Sequence, residues 1–461
     1  MLDLITPIAL LAACTATWIY YSWVELLILL VVSYILLCKV PQLFGLTVPN
    51  AGDAIWIPDI PTNKLHIQGC LVTERMNKDE FIQMMSTRGF VNVEKFRYRH
   101  VWIMGKVYWK KETNFSVLNH LKYHTEQVKS QDELYKIFEE NLTKDFPKEL
   151  SPWQVLFVQE FREDKSAIIL KSHHSLSDGL ALVSLLLSLA DPRPVTNTFI
   201  NFSRGNTLKQ FFFYAKSIIM SPLICYKVFS KKEPNSPIYG RPLTGKKSFA
   251  CTEPLPLPFI KKFCEKEKIS INTFILTIVS AAIQKYFEDC KEHIESIRAC
   301  LPFSMRPLPR DGSILPAKNN VSLLLFRFPT DIKPEVNKFQ LVNNLCGELK
   351  NSVEPFANNL SARFFGAFLP MSLVSHVVHS FGDRTSFNFS NVPGPTMALY
   401  AMEKKIHEMF FSAPCAGKTG LSLNCFSYNN TIVFGCTADR GVIPEARVLL
   451  NYMQEEVSKL S

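Results

Sequence analysis

The sequence has no Gly-x-Ser-x-Gly turn, no glycine-rich phosphate loop and no dinucleotide fingerprint. These absences exclude a serine-hydrolase elbow, a P-loop nucleotide hydrolase and a nicotinamide enzyme built on those motifs. Its 12 cysteines are scattered from Cys14 to Cys436 with no Cys-x-x-Cys pair. That pattern argues for free thiols in a reducing compartment, not a disulfide framework or a zinc site. Zinc-finger spacing, an Arg-rich tail and an aromatic-basic RNA motif are also missing, so nucleic acid is not an expected partner. Charge is nearly absent at one end: residues 4–38 contain no Lys or Arg, and Glu25 is their one charged residue.

That nearly uncharged run is longer than the ~20 residues a helix needs to cross the hydrocarbon core. It reads either as one long tilted helix or as a shallow hairpin turning near residues 20–23. In the hairpin, Trp18, Tyr20, Tyr21 and Trp23 suit an interface. In a single span, Glu25 needs a partner or a route to water. No basic segment precedes the run, which disfavours a cleaved signal peptide. Asp3 lies before it and Lys39 after it, so the positive-inside tendency directs the following lobes to the cytosol. The expected location is a membrane, that of the endoplasmic reticulum, with membrane lipid as a partner.

The 461 residues are 47% hydrophobic and 20% charged, a globular composition long enough for two packed lobes plus the membrane segment. The formal charge of +10 suits anionic headgroups, the phosphates of coenzyme A or a merely solubilising surface. The 35 phenylalanines fit core packing or an acyl channel. Asn-x-Ser/Thr triplets at Asn114 and Asn141 decide nothing alone.

Patterning divides the chain into an anchor (1–40), an N-terminal lobe (41–190), a linker (191–246) and a C-terminal lobe (247–461). Residues 76–89, 131–142 and 180–189 read as helices, while 91–109, 155–161 and 166–171 read as strands. In the linker, the apolar run 208–229 with Lys209, Lys216 and Lys227 reads as an interfacial amphipathic helix or as a buried inter-lobe helix. In the second lobe, 259–266, 271–287, 338–357 and 444–459 read as helices. Residues 296–302, 321–328, 386–390, 421–428 and 431–437 read as strands.

Chemistry concentrates in His173-His174-Ser175-Leu176-Ser177-Asp178-Gly179, which follows a strand and enters a helix. A histidine so placed presents its ring to a cleft, and an imidazole suits removal of a hydroxyl proton as the oxygen attacks a thioester. A His-His pair by itself is more often structural. Asp178 suits bracing of the loop, and Gly179 tight backbone geometry before the helix. Without a serine or cysteine elbow, direct transfer with no acyl-enzyme is favoured. His120 and His124 lie four apart with no following Glu and read as a solvated helix face; His376 and His379 lack a ligand pattern too, so no metal is expected.

The full His-His-x-x-x-Asp-Gly pattern resembles the signature of the coenzyme-A-dependent acyltransferase superfamily. Ser390-Asn391-Val392-Pro393-Gly394-Pro395, Pro302-Phe303-Ser304-Met305-Arg306, Asn319-Asn320-Val321-Ser322 and Ser427-Tyr428 with Ala438-Asp439-Arg440 narrow the resemblance to the wax ester synthase/diacylglycerol acyltransferase family. Agreement runs from about Ser151 to the C-terminus. The resemblance implies an α/β fold of two chloramphenicol-acetyltransferase-like lobes, here with an N-terminal transmembrane segment. It implies His174 as base, His173 beside it and Asp178 as an architectural carboxylate, with Arg306 its cation. Asn272 is a candidate to orient substrate or donate to the oxyanion, and Asn391 to brace a turn or touch substrate. Three departures stand out: Ser151-Pro152-Trp153 where the family has Pro-Leu-Trp, Asn272-Thr273 where it has Asn-Asp, and Asn319 where it has Gly. The implied activity is transfer of a fatty acyl group from acyl-CoA, a co-substrate with no other cofactor, to a long-chain alcohol or diacylglycerol. The alternative is a catalytically inactive acyltransferase-fold subunit of a membrane assembly.

Overall fold

The computed structural model describes residues 39–191, 207–306 and 314–460, with isolated positions 13–15, 25, 28–29 and 31–32. The expected anchor thus lies almost wholly outside the described residues, as do 192–206 of the linker.

The first part of the chain forms β1 (Leu46–Thr47), α1 (Ala51–Ala54), β2 (His66–Glu74), α2 (Lys78–Thr87), β3 (Tyr98–Ile103) and β4 (Lys106–Lys111). It continues through β5 (Leu121–His124), α3 (Gln131–Thr143), β6 (Trp153–Phe161), β7 (Lys165–His173) and α4 (Gly179–Leu187). The linker helix is α5 (Thr207–Ser230). Next come β8 (Lys247–Cys251), β9 (Leu255–Pro256), α6 (Leu257–Glu267), α7 (Ile271–Asp289), β10 (Ser296–Ser304) and β11 (Val321–Pro329). Helices α8 (Lys338–Asn351), α9 (Glu354–Phe368) and α10 (Met371–Gly382) precede β12 (Phe387–Val392), β13 (Tyr400–Ala401) and β14 (Lys404–Ser412). The chain closes with β15 (Leu421–Tyr428), β16 (Thr431–Asp439) and α11 (Arg447–Ser458).

Two mixed sheets organise the lobes, in the orders β13-β14-β2-β7-β6-β5 and β11-β10-β12-β15-β16-β8, with β9 paired to β16. A small third sheet orders β1-β4-β3. Strand β14 comes from the C-terminal half yet completes the first sheet, pairing antiparallel with β2. A division of the chain at the linker therefore does not divide the sheets.

Strand β7 explains how the histidine pair is held. It is bonded to β2 and β6 on its two edges, both antiparallel. Ala167 and Ile169 enter one core cluster, and Ile168 and Leu170 the other. With both faces dry, the strand reads as an unbroken apolar run instead of an alternating one. Helix α4 behind it is apolar except for Ser184 and buried at all positions but Gly179 and Leu186, as a helix enclosed on nearly every side must be.

Three expectations change. Residues 89–97 form two short 3-10 turns, and strand begins only at Tyr98. The helix expected over 338–357 breaks after Asn351, because Pro355 can occupy the first turn of a new helix but not the interior of an old one. Helices α9 and α10, not anticipated, fill the stretch before β12.

Candidate active site

The histidine pair sits where β7 gives way to a turn. His173 N donates to Pro152 O and His174 N to Leu65 O, each at 2.8 Å. Leu176 N then bonds His173 O at 3.0 Å, turning the chain toward α4. Asp178 caps that helix, its Oδ1 accepting from Ala181 N at 3.0 Å. Its Oδ2 accepts from Arg306 Nη2 at 2.7 Å and from Asn320 N at 3.0 Å. Arg306 also donates to the carbonyls of Pro316 and Lys318, at 2.9 and 2.7 Å. One fully buried carboxylate thus ties the helix after the histidines to the loop before β11 of the other lobe.

His174 lines a cavity of about 690 Å³ whose other walls are mostly apolar, including Leu65, Ile67, Leu276 and Phe411. The orientation of its ring is fixed by Asn319. Asn319 Nδ2 donates to Asp53 Oδ1 and to His174 O, at 2.9 and 2.8 Å. Its Oδ1 must then be the atom facing His174 Nδ1 at 2.9 Å, so Nδ1 carries the hydrogen. Nε2, which has no partner among the described residues, holds the lone pair. Trp56 stacks on the ring with centroids 3.7 Å apart and planes 12° apart. Burial pushes the His174 pKa down to about 4, against the opposing pull of the Asp178 charge and the bond to Asn319. The imidazole is therefore neutral at physiological pH.

His173 turns away from that cavity. Its Nδ1 meets Ser175 Oγ at 2.7 Å and its Nε2 lies 3.4 Å from Asp59 Oδ1. The rings of His66 and His100 stand edge-on to it at 5.8 and 5.3 Å. Burial, reinforced by the charge of His173, lowers the pKa of each of these two rings to about 3. Burial alone would raise the Asp59 carboxyl, but the hydrogen bond and charge of His173, with His66, bring it down to about 2.

Asn272 and Asn391 both line the cavity, and Asn391 Nδ2 donates to Asn272 Oδ1 at 3.2 Å. Gly179 lines it too, but not for the reason its sequence context suggests. Its φ lies outside the left-handed region, and an added Cβ would meet nothing within 4 Å. Its lack of a side chain leaves space in the cavity and relieves no backbone strain.

Sequence reasoning missed Asp53 and Trp56 altogether and took Asn319 only as a departure. Asp53 Oδ2 is paired with Lys95 Nζ at 2.6 Å, and Lys95 also donates to Ser175 O at 2.9 Å. The signal available was an acid and an aromatic in the stretch 41–60, which holds Pro41, Pro49 and Pro58, with no periodicity to say what they face.

The other departures are structural here. Thr273 Oγ1 meets Ser270 Oγ at 2.9 Å and donates to Asn343 Oδ1 at 3.2 Å, in the capped first turn of α7. Ser151 N donates to Glu112, and Trp153 is fully buried. Against expectation, His120 belongs to no solvated face. It is fully buried, stacked on Trp153 at 4.1 Å, with Nε2 3.3 Å from Glu112 Oε1. His124 ends β5 instead of sharing a helix with it. His376 and His379 lie on α10, where His379 Nδ1 accepts from Gly417 N at 3.1 Å. No group of three or more His, Cys, Asp or Glu with metal-binding geometry occurs among the described residues.

Comparison with known proteins gives the same architecture a family. Residues 63–207 match the wax ester synthase/diacylglycerol acyltransferase catalytic domain, and residues 317–461 match the WS/DGAT C-terminal domain. A probable diacylglycerol O-acyltransferase of Mycobacterium tuberculosis (strain CDC 1551 / Oshkosh) is 21% identical over 384 residues, covering 77% of this chain and 82% of its own. The wax ester synthase/diacylglycerol acyltransferase from Marinobacter aquaeolei VT8 superposes with a TM-score of 0.64 at 17% identity, over 90% of this chain and 98% of that one. A mutant starter condensation domain of rhizomide synthetase in complex with C8-CoA gives a TM-score of 0.59 at 12% identity, over 91% and 96%. Identities this low establish the shared two-lobe fold. With its catalytic and C-terminal domain matches contributing His174 and Asn319 to one hydrogen bond, the chain belongs to the wax ester synthase/diacylglycerol acyltransferase family.

Proposed function

We propose that this acyl-CoA-dependent acyltransferase esterifies a long-chain alcohol or diacylglycerol, with His174 as the general base. The observation that carries the reading is a neutral, buried imidazole with Nδ1–H held by Asn319 and Nε2 left for the cavity. Nε2 takes the hydroxyl proton as the acceptor oxygen attacks the thioester carbonyl. The tetrahedral intermediate collapses, the carbon–sulfur bond breaks, and the imidazolium returns the proton to the departing thiolate. Ester and free coenzyme A balance the reaction, and no acyl-enzyme is formed. Asn272, whose Oδ1 is occupied by Asn391, keeps an amide N–H to donate to the oxyanion. Asp178 and Arg306 hold the two lobes in register around the base, and His173 braces the turn from outside the cavity.

The walls favour a lipid. A cavity of this size suits an acyl chain of ordinary length, and His174, Asn272 and Asn391 are among the few polar residues of its mostly apolar wall. Membrane attachment through residues 1–40 is part of the proposal, since an acceptor of this kind resides in bilayers. The mycobacterial relative lends no support to an endoplasmic-reticulum address. The alternative of an inactive subunit has no observation in its favour: the departures at Ser151 and Thr273 are absorbed into packing and leave His174 untouched. The test feeds purified protein acyl-CoA with competing long-chain alcohol and diacylglycerol and identifies the esters. Wild-type protein that releases no coenzyme A with either acceptor would refute the reading.

A further inference from the structure

Helix α5 carries apolar side chains outward. Phe211, Phe212, Ile218, Ile219, Leu223 and Tyr226 are between 46% and 76% exposed. They recur at helical spacing and form one stripe. The neighbouring helix α9 adds exposed Phe364 and Phe368. An apolar surface of this kind marks an interaction site. Lys209, Lys216 and Lys227 are the only charged residues of α5, a basic and aromatic composition suited to anionic headgroups.

Behind the stripe lies a crevice of about 100 Å³, walled by Cys225, Val228 and Phe229 of α5, Ala362 and Phe365 of α9, and Val378 of α10. It shares Trp56, Val321, Leu323, Phe381 and Ala416 with the His174 cavity. The shared Trp56 is the ring stacked on the base. The polar groups at the crevice are already engaged: Asn358 Nδ2 donates to Leu323 O at 2.8 Å, and Ser361 Oγ meets Ser221 Oγ at 3.1 Å. What remains to a ligand is hydrocarbon contact.

We propose that the crevice takes the hydrocarbon chain of a lipid acceptor drawn from a bilayer on which α5 rests, and leads its hydroxyl end toward Nε2 of His174. The inference rests on the acyl-transfer reading and adds the side from which the acceptor arrives. An apolar route from the exposed stripe to the base spares the chain a passage through water, which every methylene opposes. A bilayer is favoured over a protein partner because Ile55 and Trp56, both walls of the crevice, lie in the stretch 41–60 that follows the apolar, Lys- and Arg-free run 4–38. At about 100 Å³ the crevice must widen as a long hydrocarbon chain enters it.

The experiment compares two acceptors with the full-length protein: diacylglycerol in phosphatidylcholine–phosphatidylserine vesicles, and hexanol in solution. Val378→Trp and, as a smaller intrusion, Ala362→Phe narrow the crevice; the double variant Ile218→Glu/Ile219→Glu spoils the stripe. Each crevice variant is expected to lower turnover of the vesicle acceptor about tenfold or more while hexanol turnover, which also reports folding, stays within about twofold. The stripe variant is expected to do the same and to lose co-sedimentation with vesicles. Equal losses with both acceptors in both crevice variants, or no loss with either, overturn the proposal. So does a stripe variant that still turns over vesicle diacylglycerol normally, or one that converts a dimer to a monomer. Wild-type protein inert toward both acceptors would instead remove the acyl-transfer reading beneath it.

Discussion

Asp53 and Asn319 lie 266 residues apart in the chain, yet Asp53 Oδ1 accepts from both the backbone and the side-chain amide of Asn319, each at 2.9 Å. That pair of hydrogen bonds fixes which end of the Asn319 amide faces His174, and hence which nitrogen of its ring is protonated. Lys95, held on the far oxygen of Asp53, completes a line from a cation to the His174 ring. Burial lowers the pKa of Lys95, with the Asp53 charge opposing, so the pair depends on its close contact.

Asn319→Leu keeps the side-chain size but removes the acceptor for Nδ1–H. The expected result is a fall in kcat of about 10- to 100-fold with KM nearly unchanged, since such partners orient a base without touching substrate. Asp53→Asn should give a smaller fall of the same kind. Steady-state kinetics with a single acceptor decides it; an unchanged kcat in Asn319→Leu would mean the tautomer is set otherwise.

The two histidines of the pair should respond oppositely. His174→Ala is expected to lower activity about 100- to 10,000-fold while leaving the melting temperature close to wild type. His173→Ala removes the bonds to Ser175 and Asp59 and is expected to destabilise the fold by about 2 kcal/mol, with activity per folded molecule largely kept. Paired melting curves and single-turnover rates separate the two, and a reversed pattern would exchange their roles.

Arg306→Ala strands the buried Asp178 carboxylate and is expected to cost about 3–5 kcal/mol. Asp178→Asn should cost less, because the amide oxygen still accepts from Ala181 N at the helix cap. A double-mutant cycle measured by urea unfolding is expected to show coupling well above about 0.5 kcal/mol. Simple additivity would argue against the ion pair as the tie between lobes.

Acid should act on stability before it acts on the base. The unfolded chain protonates its histidines near the ordinary value of about 6.5, while His66 and His100 resist protonation in the fold until about pH 3. Between those limits the unfolded state binds more protons. Stability therefore falls as pH drops, by up to about 1.4 kcal/mol per pH unit for each ring. Melting temperatures taken from neutral pH downward should show this slope, and His100→Gln should flatten it. The acid limb of kcat/KM should follow His174 at about pH 4 wherever the protein stays folded. A limb near the free-histidine value in folded protein would contradict the burial of the base.

Much of the frame was legible in the sequence for a local reason. The apolar runs that became β6, β7 and α4 declare themselves within a few residues. Arg306 was legible only as a match to a family pattern, and its bond to Asp178 gives that match a geometry. The exchange of β14 into the first sheet was not legible, because a strand's own residues do not say which of two sheets it joins. His120 was misread for a related reason: spacing of four suggested a helix face, while its neighbours Trp153 and Glu112 are distant in sequence.

The sequence by itself determined the two-lobe α/β frame, the strand–turn–helix that carries His174, and an apolar run with a single charge ahead of it all. Periodicity, caps and turns act between near neighbours, so they survive without a partner in view. Only the tertiary structure decided that Asp53, Trp56 and Asn319 gather at His174, that His173 turns away from its cavity, and that α5 shows its apolar stripe outward. Those outcomes depend on contacts between distant segments, where the free energy of burial and hydrogen bonding is set by which surfaces meet and not by the order of residues in either one.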